Sequence, residues 1–156
     1  VRDGGGIGKD RPDTTKDPHT VTLEWKPGMP KPAFERKARA LQRLGEEGKL
    51  FKFKGRTSDY RDSKITADYK GALAALIHRN HKDDPDFAKE AAAAARKMEP
   101  DHTNELQTGG PDAWRNLRML DRFTNQDIGN AQIRQQIKDL PDGNPISIDI
   151  KWWPDD

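Results

Sequence analysis

Asp101 and His102 stand side by side, and Asn116 and Asn125 follow them nine residues apart from each other. Residues of these types suit hydrolysis of a phosphodiester. That reaction needs a water near phosphorus, a base to take its proton, and positive charge on the phosphate and leaving oxygens. A histidine next to a carboxylate could supply the base and a metal ligand together, and here these would be His102 and Asp101. The plainer reading is a surface pair or a cap, which is what an isolated Asp-His pair usually is.

The elements that must position these residues can be read from the surrounding pattern. Leu117 to Phe123 is apolar-rich, and in the stretch Gln126 to Leu140 the residues Ile128, Ile133, Ile137 and Leu140 recur at roughly helical spacing. Asn125 therefore falls at or just inside a helix start, with Thr124 as N-cap. A helix start favours anions, so a metal-held phosphate has electrostatic support there. Gly109-Gly110-Pro111-Asp112 is a strong turn signal between the two ends of the segment. The whole reads as strand, long loop, strand, helix.

Asp101-His102, the Gly109-Gly110 loop, Asn116-Leu117 and Asn125 together resemble the HNH endonucleases, also called ββα-metal or His-Me finger nucleases. The resemblance covers roughly residues 98 to 135. It implies that His102 is the general base, Asp101 a metal ligand and Asn125 the second protein ligand, from the helix. It also implies that Asn116 ties the loop and orients His102. Within that family the segment looks most like the nuclease domains of bacteriocins and polymorphic toxins, which also carry an acidic residue two positions before the ligand, here Glu99. Colicin-type enzymes place a further His four residues into the helix from the first helical ligand, and here that position is Gly129. With Asp and Asn as ligands the site is oxygen-rich, which favours one Mg²⁺ or Mn²⁺, with Ni²⁺ or Zn²⁺ as alternatives.

Each supporting residue has a plainer alternative. Glu99 is either a helper near the metal or a strand-end charge. Arg115, Arg118 and Arg122 are either phosphate contacts or ordinary cations on a strand face. Asn125 by itself would be a helix cap. His78 and His81 end an amphipathic helix, where a cation suits the dipole, and His19 sits in a Pro- and Asp-rich stretch read as a flexible arm.

Composition bounds the rest. A chain of 156 residues with 32% hydrophobic and 35% charged content suits one domain with a modest core. The net charge of +2 says little, but residues 31 to 64 hold eleven Lys or Arg against five Asp or Glu. Such an excess could hold a phosphate backbone or simply be a solvated helix face. The absence of cysteine excludes disulfides and thiolate zinc sites. No apolar run is long enough to span a membrane, and no signal peptide is visible. A start at Val1 suggests an excised fragment.

Along the chain, residues 1 to 19 read as a linker or arm and 20 to 156 as a single domain. Val21 to Trp25 suggests a short strand, and Phe34, Ala38, Leu41 and Leu44 a helix that stops near Gly45 or Gly48. Leu50, Phe51 and Phe53 form an apolar strand or loop. Ile65, Tyr69, Leu73, Leu76 and Ile77 mark a second helix capped by Ser63, and a third runs from Asp84-Pro85 to about Lys97. These helices are expected to form a platform beneath the motif, their apolar residues in the core. After the turn Pro141 to Pro145, the alternation Ile146, Ile148, Ile150, Trp152 predicts a strand with one buried face, ended by Pro154. Trp153 then faces solvent or a partner.

The expectation is an α+β domain, mainly a helical platform with a C-terminal ββα-metal motif. From the resemblance, it is a metal-dependent DNase, the toxic effector domain of an interbacterial-competition protein, delivered into a target bacterium as the C-terminal part of a larger toxin and neutralised by a cognate immunity protein, an acidic one by charge. The alternatives are an RNA-cleaving toxin, a non-catalytic nucleic-acid-binding module, and an HNH nuclease of phage packaging or restriction.

Overall fold

The computed structural model describes residues 11 to 155. Four strands, β1 (His19–Glu24), β2 (Met98–His102), β3 (Leu117–Asp121) and β4 (Ile146–Lys151), form two separate pairs, so the fold class is α+β. Three α-helices precede the second pair: α1 (Lys31–Glu46), α2 (Ser63–Asn80) and α3 (Pro85–Arg96). A fourth, α4, begins at Arg122–Gln126 and continues through a π-helical stretch, Asp127–Arg134, to a last turn at Gln135–Ile137.

β1 and β4 run parallel, from His19 opposite Ile146 to Glu24 opposite Lys151. One face of this ribbon carries Val21, Leu23, Ile146 and Ile148, all buried against Phe34, Ala38 and Leu41 of α1 and Ile128, Ile133 and Ile137 of α4. Burial of each such side chain contributes roughly 1.5–3 kcal/mol. Ile128 and Ile133 are five residues apart, a spacing an α-helix would splay. The π-helical stretch, with its i→i+5 bonding, stacks both on the core at 0% and 1% exposure.

β2 and β3 are antiparallel, from Met98 opposite Asp121 to His102 opposite Leu117, and α4 follows β3 directly. This is the strand, loop, strand, helix order read from the sequence. Its N-cap is Asp121 rather than Thr124: the Asp121 carboxylate accepts from the Thr124 N–H at 3.0 Å and its hydroxyl at 2.9 Å, which places Thr124 buried inside the first turn.

Other boundaries differ for similar reasons. Asp62, not Ser63, caps α2, accepting from Lys64 N–H, while Asp84 caps α3 as expected. The platform is not one core: α2 packs on α3 and touches β2 but buries none of its own residues, and Leu76 is exposed. Of the expected arm, residues 1 to 10 lie outside the described residues. His19 opens β1, its N–H donating to Pro145 O, and Asp13 N–H donates to Gly143 O. Trp153 is half-buried rather than solvated, meeting Trp25 and Trp152 edge to face. No helix among the described residues is long and apolar enough to cross a membrane.

Candidate active site

A polar cleft of about 140 Å³ lies between the C-terminal end of β2, the loop after it and the first turns of α4. Asp101, His102 and Asn125 all line it, together with Glu105, Arg61 and Arg134. The fold thus brings together the base and both ligands implied by the resemblance.

His102 is buried, and its Nε2 lies 2.9 Å from Asp112 Oδ1. An ionised Asp112 accepts from Nε2–H, which fixes the tautomer and leaves Nδ1 as the basic nitrogen. Burial holds the imidazole below its ordinary range against the pull of Asp112, and the nearby charge of Arg61 lowers it further. A histidine neutral at pH 7 and tethered at one nitrogen is fit to accept a proton at the other.

Asp112 is itself anchored, because its second oxygen accepts from the Asp62 N–H at 2.6 Å. The cap region of α2 therefore braces the histidine's partner. The resemblance gave the task of orienting His102 to Asn116, but the Asn116 side chain does not reach the ring. It accepts from Asn104 N–H and donates to the carbonyls of Asn104 and Pro111, closing the loop from within. Asn116 O also accepts from Thr103 N–H, so it fixes the chain just after His102. The loop is tight enough that a Cβ on Gly110 would collide with the Asn104 carbonyl.

Asp101 is almost wholly buried, and its Oδ1 takes a hydrogen bond from Lys37 Nζ at 2.8 Å. Lys37 projects from α1 with no side-chain exposure, and also donates to Glu105 Oε2 at 2.6 Å and to the His102 carbonyl at 2.7 Å. Burial pulls the Lys37 ammonium down, but Glu105 and Asp101 outweigh it and it stays charged. Burial pushes Asp101 up to about 6 despite Lys37.

Asp101 Oδ2 is buried and has no hydrogen-bond partner. Such an orphaned carboxylate oxygen beside a polar cleft is the donor a hard cation requires. Asn125 fits the same purpose: its Nδ2 donates to Glu99 Oε1 at 2.9 Å, which leaves its carbonyl oxygen as the free end. Glu99 also accepts from Gln126 and pairs loosely with Arg122 at 3.5 Å, so it positions the first turn of α4. Among the described residues no group of three or more His, Cys, Asp or Glu side chains could hold a metal ion. A divalent ion would therefore rest on a mixed Asp and Asn set.

The absence of a side chain at Gly129 also has a local reason. A Cβ there would stand 3.0 Å from Glu105 Oε1, while the Gly129 carbonyl accepts from Gln107 at 2.9 Å. A side chain at this position would press on the Glu105 carboxylate.

Arg115 and Arg118 do not line this cleft; they face outward on the side of β3 where Arg36 and Tyr69 lie. Sequence reasoning missed Lys37, Glu105, Asp112, Arg61 and Arg134. Two had a signal. Lys37 interrupts the stripe Phe34, Ala38, Leu41 at a position one helical turn from Phe34, where a charge implies a buried partner. Asp112 was visible only as a turn residue.

Comparison of the chain with protein-family models, with curated proteins and with solved structures yields no significant match.

Proposed function

We propose that the protein is a metal-dependent endonuclease that hydrolyses DNA. The observation that carries this reading is the convergence of Asp101, His102 and Asn125 on one polar cleft, in the residue pattern that resembles the HNH nucleases. His102 takes a proton from the attacking water at its free ring nitrogen, while Asp112 stabilises the imidazolium that forms. The water oxygen bonds to phosphorus as the ester bond to the leaving oxygen breaks, and the leaving oxygen is protonated from solvent. Asp101 Oδ2 and the Asn125 carbonyl would hold the divalent ion, Mg²⁺ or Mn²⁺ by the hardness of the donors. The chemistry such an ion supplies is neutralisation of charge on the scissile phosphate and leaving oxygen. Lys37 locks Asp101, Glu105 and the His102 carbonyl into one geometry, and Glu99 does the same for Asn125.

The test is incubation of supercoiled plasmid and of total RNA with purified protein in EDTA, Mg²⁺, Mn²⁺, Ni²⁺ or Zn²⁺, beside His102→Ala. Metal-dependent plasmid nicking that is lost in the variant supports the reading. Degradation of RNA alone would replace DNA as substrate, and binding without cleavage under every metal would make the protein a nucleic-acid-binding module.

The biological setting follows from the resemblance to bacteriocin and polymorphic-toxin domains: delivery into a competitor's cytoplasm, and an immunity protein that protects the producer. Expression inside a bacterial host should arrest growth with the wild-type chain and not with His102→Ala. Equal growth of the two strains would remove the toxin assignment.

A further inference from the structure

Two guanidinium groups, Arg61 and Arg134, stand at the same cleft as His102 and have no ion pair or side-chain hydrogen bond among the described residues. They come from different elements, Arg61 from the segment before α2 and Arg134 from the end of the π-helical stretch. Both are exposed. Asp101 and Glu105 line the same cleft, and buried Lys37 offsets one of their two charges. The cleft therefore holds two carboxylates that share one buried ammonium, and two guanidinium groups that no carboxylate among the described residues pairs.

The cationic lining continues. A second groove shares Thr57, Gln107 and Arg134 with the cleft and is lined further along by Arg56 and Lys138. Arg56 is only loosely paired, at 3.3 Å to Asp59, with both side chains largely exposed. Such an exposed pair contributes little and exchanges readily for another anion. Lys52, in the same groove, is already spent on the carbonyls at the end of α4.

We infer that Arg61 and Arg134 grip the DNA phosphates flanking the scissile bond, and that the strand leaves the cleft along the groove of Arg56 and Lys138 rather than across the Arg115 and Arg118 face. This rests on the nuclease reading above. A guanidinium presents a planar fork of donors that matches two phosphate oxygens. Removing one cation that neutralises a phosphate lowers the salt dependence of duplex binding by about 0.9 in the log-log slope.

The experiment measures binding of a short fluorescent duplex by anisotropy across a salt series, in EDTA, on an otherwise unchanged chain and then with Mg²⁺ for cleavage. Arg61→Gln/Arg134→Gln should weaken binding about tenfold and flatten the slope by about 2. Arg79→Gln/Lys82→Gln, which removes the same charge from the last turn of α2 and the turn after it, should leave both within twofold. Loss of affinity confined to Arg115→Gln/Arg118→Gln would put the strand on the opposite face and overturn the inference. Equal, small losses in all three variants would do so too, by showing only a general charge effect. If the unsubstituted protein cuts DNA in Mg²⁺ while the Arg61/Arg134 variant binds normally, this inference alone fails; if it neither binds nor cuts, the nuclease reading fails with it.

Discussion

The two strand pairs of this molecule are built to opposite ends. β1 and β4 lie parallel with Val21, Leu23, Ile146 and Ile148 buried, and carry no side chain into the cleft. β2 and β3 are antiparallel and bury Asp101 and His102, both of which reach the cleft. The first pair buries only apolar side chains, with glutamines of α4 bonded to the β1 backbone; the second needs a buried ammonium and a loop closed by asparagine. Two elements serve both. α1 puts Phe34, Ala38 and Leu41 in the core and Lys37 under the site, while α4 puts Ile128, Ile133 and Ile137 in the core and Asn125 and Arg134 at the cleft. A polar site of this kind is thus fastened to the core through single residues on shared helices, which makes those residues the places to break it.

The sharpest separation of the two regions is His102→Ala. On the nuclease reading proposed above, losing His102 as base should slow cleavage by about 10³-fold, within the range for general-base catalysis, while thermal denaturation shows the core intact. Lys37→Met should act on both regions. Removing one partner of a buried pair typically costs about 3–5 kcal/mol, so urea denaturation should show a loss of that order, with cleavage impaired as well. A loss below about 1 kcal/mol would mean that Asp101 and Glu105 do not depend on it.

Ile133→Ala tests the opposite side. It should cost about 2–5 kcal/mol in the same denaturation assay, yet leave the cleavage rate of the folded fraction unchanged at low temperature. Asp112→Asn is subtler: loss of the carboxylate behind His102 should lower kcat about 10- to 100-fold with little change in KM. A change in KM alone would make Asp112 a substrate contact. Smallest of all, Asp121→Ala removes the N-cap of α4 and should cost about 1 kcal/mol by thermal melting, with a fraying first turn that loosens Asn125.

Much of this arrangement was legible in the residues. Alternation at Ile146, Ile148 and Ile150 marked β4, and the order of Asp101-His102, Gly109-Gly110, Asn116 and Asn125 marked both strands and helix of the second pair. What pattern could not supply was partnership across long sequence separation. Asp112 reads as a turn residue until the turn folds back on His102, and the partners of Lys37 emerge only once α1 is packed against the end of β2. The helix start was misplaced by one turn because Thr124 and Asp121 are both good caps, and only the packing of Thr124 into the interior decides between them. α2 misled in the other direction: its apolar residues have helical spacing, but only partial cover from α3.

The most direct test of the central claim pairs two readings on wild-type protein and His102→Ala: single-turnover cleavage of a fluorescent duplex with Mg²⁺ or EDTA, and Mn²⁺ affinity by electron paramagnetic resonance. The account predicts cutting by wild type only with metal, cutting about 10³-fold slower in the variant, and Mn²⁺ affinity equal within twofold. Equal cleavage by both proteins, or undiminished cleavage in EDTA, would contradict it.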